Sequence, residues 1–191
     1  MPLNMPPWYR KPEADDKLDQ GDIIRGCPVA EVAAPENPEM WSKEILDKPR
    51  VVVRRSAVVV LSQACDLVPH KNTEPLNAIL VASIYPFDAL VDLDPLQQQP
   101  EIPGAKTPTG KNLNDIRRGR LVGWYPLPGD EGLHMRESAV DLLRLYTVSR
   151  GVLEYLISIG GRSIAINPPY REHLGAFLAS VYTRFGLPSD D

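Results

Sequence analysis

Val51-Val52-Val53-Arg54-Arg55-Ser56-Ala57-Val58-Val59-Val60-Leu61 decides the fold class of this chain. Valine is branched at Cβ, which restricts its χ1 and favours the pleated strand over the helix. The two valine runs, separated by Arg54-Arg55-Ser56, read as strand on either side of a polar break. Downstream, Leu76-Asn77-Ala78-Ile79-Leu80-Val81-Ala82-Ser83-Ile84-Tyr85 reads as the next strand, after a turn-rich segment from Ser62 to Pro75. Upstream, Gly21-Asp22-Ile23-Ile24 opens a first strand that Pro28 is expected to end or bend. Leu121 to Leu127 forms a short strand, and Ser138 to Val148 a longer one with partial alternation. Residues 150–159 fit a short helix or a turn into a strand. The last element is helical. Asn167 caps it, Pro168 takes its first position, and Leu174, Phe177, Leu178, Val181, Tyr182 and Phe185 share one face. Gly186 and Pro188 stop it.

Proline marks what lies between these elements. The chain has 20 prolines in 191 residues, about twice the average usage of ~5%. Proline is excluded from helix interiors and central strands, so a helical bundle is ruled out. The prolines gather in 2–12, 28–49, 86–108 and 168–169 and spare 50–68, 76–85 and 138–167. The expectation is a mainly β (α+β) domain with long Pro-rich loops. Residues 1–20 form an extended N-terminal arm, and 21–188 a single β-barrel domain. Insertions fall at 33–50 and 88–120, with an acidic tail at 189–191. Asn112 to Arg118 forms one or two helical turns. Trp8, Trp41 and Trp124 lie in segments flanked by proline or glycine and are expected to pin loops to the barrel.

Charge is unevenly placed. Residues 1–47 carry ten acids against five bases, net −5, and residues 48–191 carry fifteen against sixteen, net +1. The total of −4 argues against strong non-specific nucleic-acid binding. The two cysteines, Cys27 and Cys65, form no Cys-x-x-Cys pair, so no zinc ribbon is written here. The N-terminus lacks the charged and apolar regions of a signal peptide, and no apolar run nears the ~20 residues of a membrane span. A cytoplasmic protein with free thiols, no membrane association and no cofactor is expected.

Several blocks, in order, resemble the MazF/PemK-like toxin family. Gly21-Asp22-Ile23-Ile24 is similar to its opening Gly-Asp-Ile/Val strand. Arg54-Arg55-Ser56-Ala57-Val58-Val59-Val60-Leu61-Ser62 is similar to its Arg-Pro-x-Val-Val-Leu-Ser strand. Leu76 to Tyr85, Ser138 to Val148 and Arg150-Gly151-Val152-Leu153 resemble later blocks. The blocks cover about half of the chain. Ser56 stands where the family has proline, and Ser83-Ile84-Tyr85-Pro86 has no threonine at the family's threonine position. The resemblance implies a small, partly open SH3-like β-barrel with a C-terminal amphipathic helix. It also implies a toxin–antitoxin protein that binds single-stranded RNA, as a metal-independent endoribonuclease. A protein partner or antitoxin and a homodimer stay open as partners.

The catalytic candidates are Arg55, Ser62, Cys65, Asp66 and His70, grouped around the turn after the valine strand. Rigid strand ends position such loops. Arg54 or Arg55 would stabilise charge on phosphorus, and His70, His134 or His173 would move a proton. Cys65 would act as a nucleophile in a thiol-dependent alternative. Arg54, Arg117, Arg118 and Arg171 are the nucleic-acid-binding candidates, Arg171 sitting where the last helix opens. Against these stands a non-catalytic protein-binding module on a degenerate barrel, favoured by the missing threonine and the acidic first quarter. Solvated surface charge explains the arginines equally well, with Arg144 paired to Asp141 as one such case.

Overall fold

The computed structural model describes residues 6–13, 15–33, 42–68, 74–90 and 113–183. Its centre is one seven-stranded sheet in the order β1-β7-β2-β3-β4-β6-β5. The strands are β1 (Tyr9–Arg10), β2 (Asp22–Val32), β3 (Val51–Val60), β4 (Ala78–Pro86), β5 (Trp124–Leu127), β6 (Ser138–Ser149) and β7 (Arg162–Ile166). Among the described residues six helices accompany them: α1 (Lys43–Asp47), α2 (Ala64–Leu67), α3 (Phe87–Leu90), α4 (Leu113–Arg117), α5 (Arg150–Ser158) and α6 (Tyr170–Thr183). All pairings are antiparallel. The class is α+β, and among the described residues no ladder closes β1 onto β5. The sheet nevertheless curls. The Tyr9 hydroxyl in β1 donates to the Pro128 carbonyl, just past β5, at 2.8 Å.

Both faces of the middle strands are covered, which is why Val58-Val59-Val60 is apolar without alternation. Val59 joins Ile23, Ile84, Leu142 and Ile164 beneath α6, which contributes Tyr170 and Leu174. Val58 and Val60 join Ile79, Val81 and Val148 beneath α5, which contributes Leu153 and Leu156. Each fully buried side chain of this size contributes about 1.5–3 kcal/mol. A smaller third cluster holds Phe87, Leu90, Ile116 and Trp124 together.

The structure corrects several sequence expectations. β3 is continuous: Arg54-Arg55-Ser56 does not break it. From Val51 to Ser56 the residues alternate between exposed and half-buried, because the β2–β3 hairpin projects beyond the helices that cover the middle strands. Pro28 does not end β2 either, and pairs with Arg55 in the ladder. β2 pairs with β7 only from Asp22 to Ile24, so around Pro28 its other side is an edge, where a missing N–H is tolerated. Residues 150–159 resolve to helix, with α5 ending in Ser158. α6 starts at Tyr170, two residues later than a helix with Pro168 in its first position. Asn167 accepts from Tyr170 N (2.9 Å) through its backbone carbonyl, while its side chain donates to Pro7 O (2.9 Å). Gly186, Pro188 and Trp41 lie outside the described residues.

The N-terminal arm is tied down more firmly than a polar loop requires. Trp8 stacks on Tyr170 at 4.0 Å between ring centroids. Arg162 donates to the carbonyls of Glu13 (3.3 Å), Asp16 (2.7 Å) and Lys17 (3.0 Å), and to Asp22 Oδ2 (3.1 Å). One buried guanidinium therefore holds four acceptors.

Candidate functional site

Side-chain alternation puts Val29, Arg54, Val58, Ser83, Tyr85 and Tyr146 on the sheet face that α5 covers at its other end. Beyond α5 this face becomes polar. The Tyr146 hydroxyl donates to Glu31 Oε1, and the Arg54 guanidinium lies 3.8 Å from Glu31 Oε2. Glu31 reaches this face because a register shift between Ile24 and Cys27 changes which β2 residues point toward it.

A larger irregularity supplies the rest. The β4–β6 ladder passes from Ala82↔Leu145 to Ile84↔Val140, so residues 141–144 of β6 stand opposite Ser83 alone. Gly123 closes this bulge: its carbonyl accepts from Leu142 N at 2.8 Å. Its φ is +83°, and a Cβ there would stand 2.2 Å from Leu143 Cδ2. Within the bulge the buried Asp141 accepts from Leu143 N (3.0 Å) and from Arg144 Nε (2.8 Å). The Ser83 hydroxyl is buried beside the Tyr85 phenol without a well-formed hydrogen bond.

Burial and neighbouring charge shift Tyr146, Tyr85, Asp141 and Arg144. Burial raises the Tyr146 phenol above its ordinary value, and its bond to Glu31 raises it further. Burial also raises Tyr85, with Asp141 and Glu31 adding to the shift and Arg144 opposing it. Asp141 is raised because loss of water outweighs the Arg144 charge beside it. Burial acts to lower Arg144, yet Asp141 and the phenols hold its guanidinium above the usual arginine range. Two cations, a carboxylate with some solvent access, a buried carboxylate and two protonated phenols thus share one partly open face. Clustered shifted groups of this kind mark functional sites more often than plain surface does.

No family model, no characterised protein and no solved structure matches this chain.

Of the sequence candidates, Arg54 alone joins the cluster. Arg55 is exposed and, by alternation, on the opposite face. The Ser62 hydroxyl accepts from Leu80 N at 2.9 Å, tying the end of β3 to β4. Cys65 is exposed in α2, its thiol donating to Gln63 Oε1 at 3.6 Å and Asp66 Oδ1 at 3.7 Å. Asp66 is exposed next to it, and its backbone carbonyl accepts from Leu76 N. His70 lies outside the described residues. Arg117 makes a two-pronged bond to Glu137, both arms 2.8 Å, and lies 4.8 Å from the Phe87 ring centre. Arg118 is exposed at the end of α4. Arg171 bonds Asp19 (2.7 Å) and Glu172 (2.8 Å), securing the arm to α6. Among the described residues, no three His, Cys, Asp or Glu side chains are placed to hold a metal ion. No described helix is long and apolar enough to cross a membrane.

Sequence reading missed Glu31, Tyr85 and Tyr146 and set Arg144 and Asp141 aside as a surface pair. One signal was present: Asp141 and Arg144 interrupt an otherwise apolar strand, where charge is costly unless used.

Proposed function

We propose that this chain is a MazF/PemK-like, cytoplasmic nucleic-acid-binding protein that cleaves single-stranded RNA without a metal, on a partly open SH3-like barrel. The observation that carries this reading is the convergence of Arg54 and Arg144 with the Glu31–Tyr146 pair on one face. Ribonucleotide cleavage needs a base for the 2′-hydroxyl, positive charge at the non-bridging oxygens and an acid for the leaving oxygen. Glu31 takes the 2′ proton. The freed 2′ oxygen forms a bond to phosphorus while the bond to the 5′ oxygen breaks. Tyr85, kept protonated by burial, gives its proton to that leaving oxygen. The products are a 2′,3′-cyclic phosphate and a 5′-hydroxyl. The two guanidiniums supply the charge stabilisation that other nucleases take from a cation. The 2.8 Å bond from Tyr9 to Pro128 across the sheet's two edges supports the barrel part of the reading.

The test is incubation of labelled single-stranded RNA with purified protein in EDTA. Wild type is expected to cleave. Glu31→Gln and Arg54→Ala are expected to lose about a hundredfold or more in rate, within the range of a lost acid–base or electrostatic group. Arg55→Ala, on the other face, changes the rate less than threefold. Absence of both cleavage and binding at low salt overturns the proposal.

A second reading has its own observation. Val32, Val51 and Val53 are exposed together on the projecting β2–β3 hairpin, where Val32 pairs with Val51. An apolar hairpin suits a protein partner, an antitoxin or a second copy of the chain. RNA binding without cleavage, together with a hairpin-dependent complex, favours this reading.

A further inference from the structure

On the sheet face opposite the polar cluster lies a groove of about 430 Å³. Ile23, Ala57, Ile84 and Pro86 form its apolar floor. Arg25, His134, Arg136, Ser138 and Ser163 supply its polar groups. This volume lies in the range of small-molecule sites, and the mixture of flat apolar floor and a few polar groups is their usual composition.

Three of the five polar residues sit on irregular backbone. Arg25 lies inside the β2–β3 register shift, followed by Gly26 at φ +71°. Nothing lies within 4 Å of where a Gly26 Cβ would be, so the backbone conformation alone calls for glycine there. Ser163 lies at the shift between β2 and β7, between the partners of Ile23 and Ile24. His134 has φ +52°, uncommon for a residue with a side chain. Bulges and strained residues re-aim side chains and gather near binding sites.

Arg25, Arg136 and Ser163 are also available, while the Ser138 hydroxyl donates to the Arg136 carbonyl at 2.7 Å. Arg25 makes no ion pair among the described residues. Arg136 is held only by an exposed pair with Asp88 at 2.8 Å, a bond that water screens and a phosphate can replace. The Ser163 hydroxyl oxygen is buried with no hydrogen-bond partner. A buried unmatched hydroxyl is costly, and rotation about its single side-chain torsion is how it finds a partner in a filled groove.

We propose that this groove binds a nucleoside monophosphate, its base and sugar over the apolar floor and its phosphate between Arg25 and Arg136. Ser163 supplies a hydrogen bond to the enclosed part of the ligand. The guanidiniums match phosphate geometry, and the floor needs an apolar body that inorganic phosphate lacks. The site is separate from the RNA-cleavage reading, because the sheet stands between the two. The same chemistry is presented by free nucleotide and by the phosphorylated end of an RNA strand.

Calorimetric titration distinguishes them, using free nucleoside 5′-monophosphates, a 5′-phosphorylated oligoribonucleotide, the same oligonucleotide with 5′-hydroxyl, uncharged nucleosides and inorganic phosphate. A nucleoside monophosphate is expected to bind at least tenfold more tightly than the nucleoside or phosphate alone. If the source is an RNA end, the 5′-phosphorylated strand binds tighter still, and the 5′-hydroxyl strand does not. Arg25→Ala weakens binding tenfold or more, and Ser163→Ala weakens it about fivefold with little change in melting temperature. Arg54→Ala leaves the affinity for free nucleoside monophosphate unchanged. Absence of binding at millimolar nucleotide overturns the proposal, as does equal weakening by Arg25→Ala and Arg54→Ala.

Discussion

Arg162→Met removes the guanidinium that joins the arm to the sheet and leaves the buried Asp22 carboxylate with the Asp19 N–H (3.0 Å) but no cation beside it. The Arg162 side chain is 4% exposed and that of Asp22 0%, so water screens neither. Removing one partner of a buried pair costs about 3–5 kcal/mol, because the remaining charge stays buried without compensation. Three arm carbonyls lose their donor as well, but they can turn to water. A loss of about 4 kcal/mol at pH 8 is expected. With a urea dependence of about 2 kcal/mol per molar, the midpoint falls by about 2 M. The loss depends on pH. Burial raises Asp22 above the ordinary carboxylate range, and Arg162 opposes that rise. A raised carboxylate favours folding most when protonated, so its contribution diminishes as pH climbs from the unfolded value to the folded one. In Arg162→Met the folded value rises further, the folded variant takes up its proton at higher pH than wild type, and the deficit shrinks as pH falls from 8 toward 5. Arg162→Met with Asp22→Asn removes the stranded charge and is expected to restore about half of the loss. Urea unfolding of wild type and both variants at the two pH values is the assay. A single-variant deficit under about 1 kcal/mol, or one that is the same at both pH values, refutes the buried-pair reasoning.

Other outcomes follow from the same structure. Cys27 is buried and its thiol is pushed up to about 11, whereas Cys65 is exposed. A thiol-specific reagent at pH 8 should therefore label one cysteine quickly in the folded protein and the second only on unfolding; two fast thiols would contradict this. Gly123→Ala adds a Cβ 2.2 Å from Leu143 Cδ2 at φ +83°. It should cost about 3 kcal/mol and lower the melting temperature by roughly 6–12 °C. Gly26→Ala, at φ +71° with open space around it, should cost only about 1 kcal/mol. Arg117→Ala breaks an exposed pair with Glu137; a stability loss of about 1 kcal/mol or less and unchanged RNA affinity in a gel-shift titration are expected.

The valine strand, its neighbours and the Leu174, Phe177, Leu178 and Val181 part of the α6 face were legible in the sequence because branching at Cβ and helical spacing are local properties, although Tyr182 is exposed and Phe185 lies outside the described residues. The uninterrupted Val58-Val59-Val60 run even carries the mark of burial on both faces. The long β2 was not legible, since Pro28 is acceptable only where no strand lies beside it, and that depends on where β7 stops. The candidate site was least legible of all. Arg54 and Arg55 are adjacent and chemically alike, yet alternation sends them to opposite faces. The neighbour that matters for Arg54 is Glu31, which a bulge in another strand aims at it. Asp141 and Arg144 are close in sequence, but their meaning comes from Tyr85, Glu31 and Tyr146, which only the β2–β3 and β4–β6 ladders bring near. Composition and branching by themselves determined a strand-rich chain with proline-stiffened connections. The tertiary structure alone decided which charges meet, because register and bulges place residues far apart in sequence within a few ångströms.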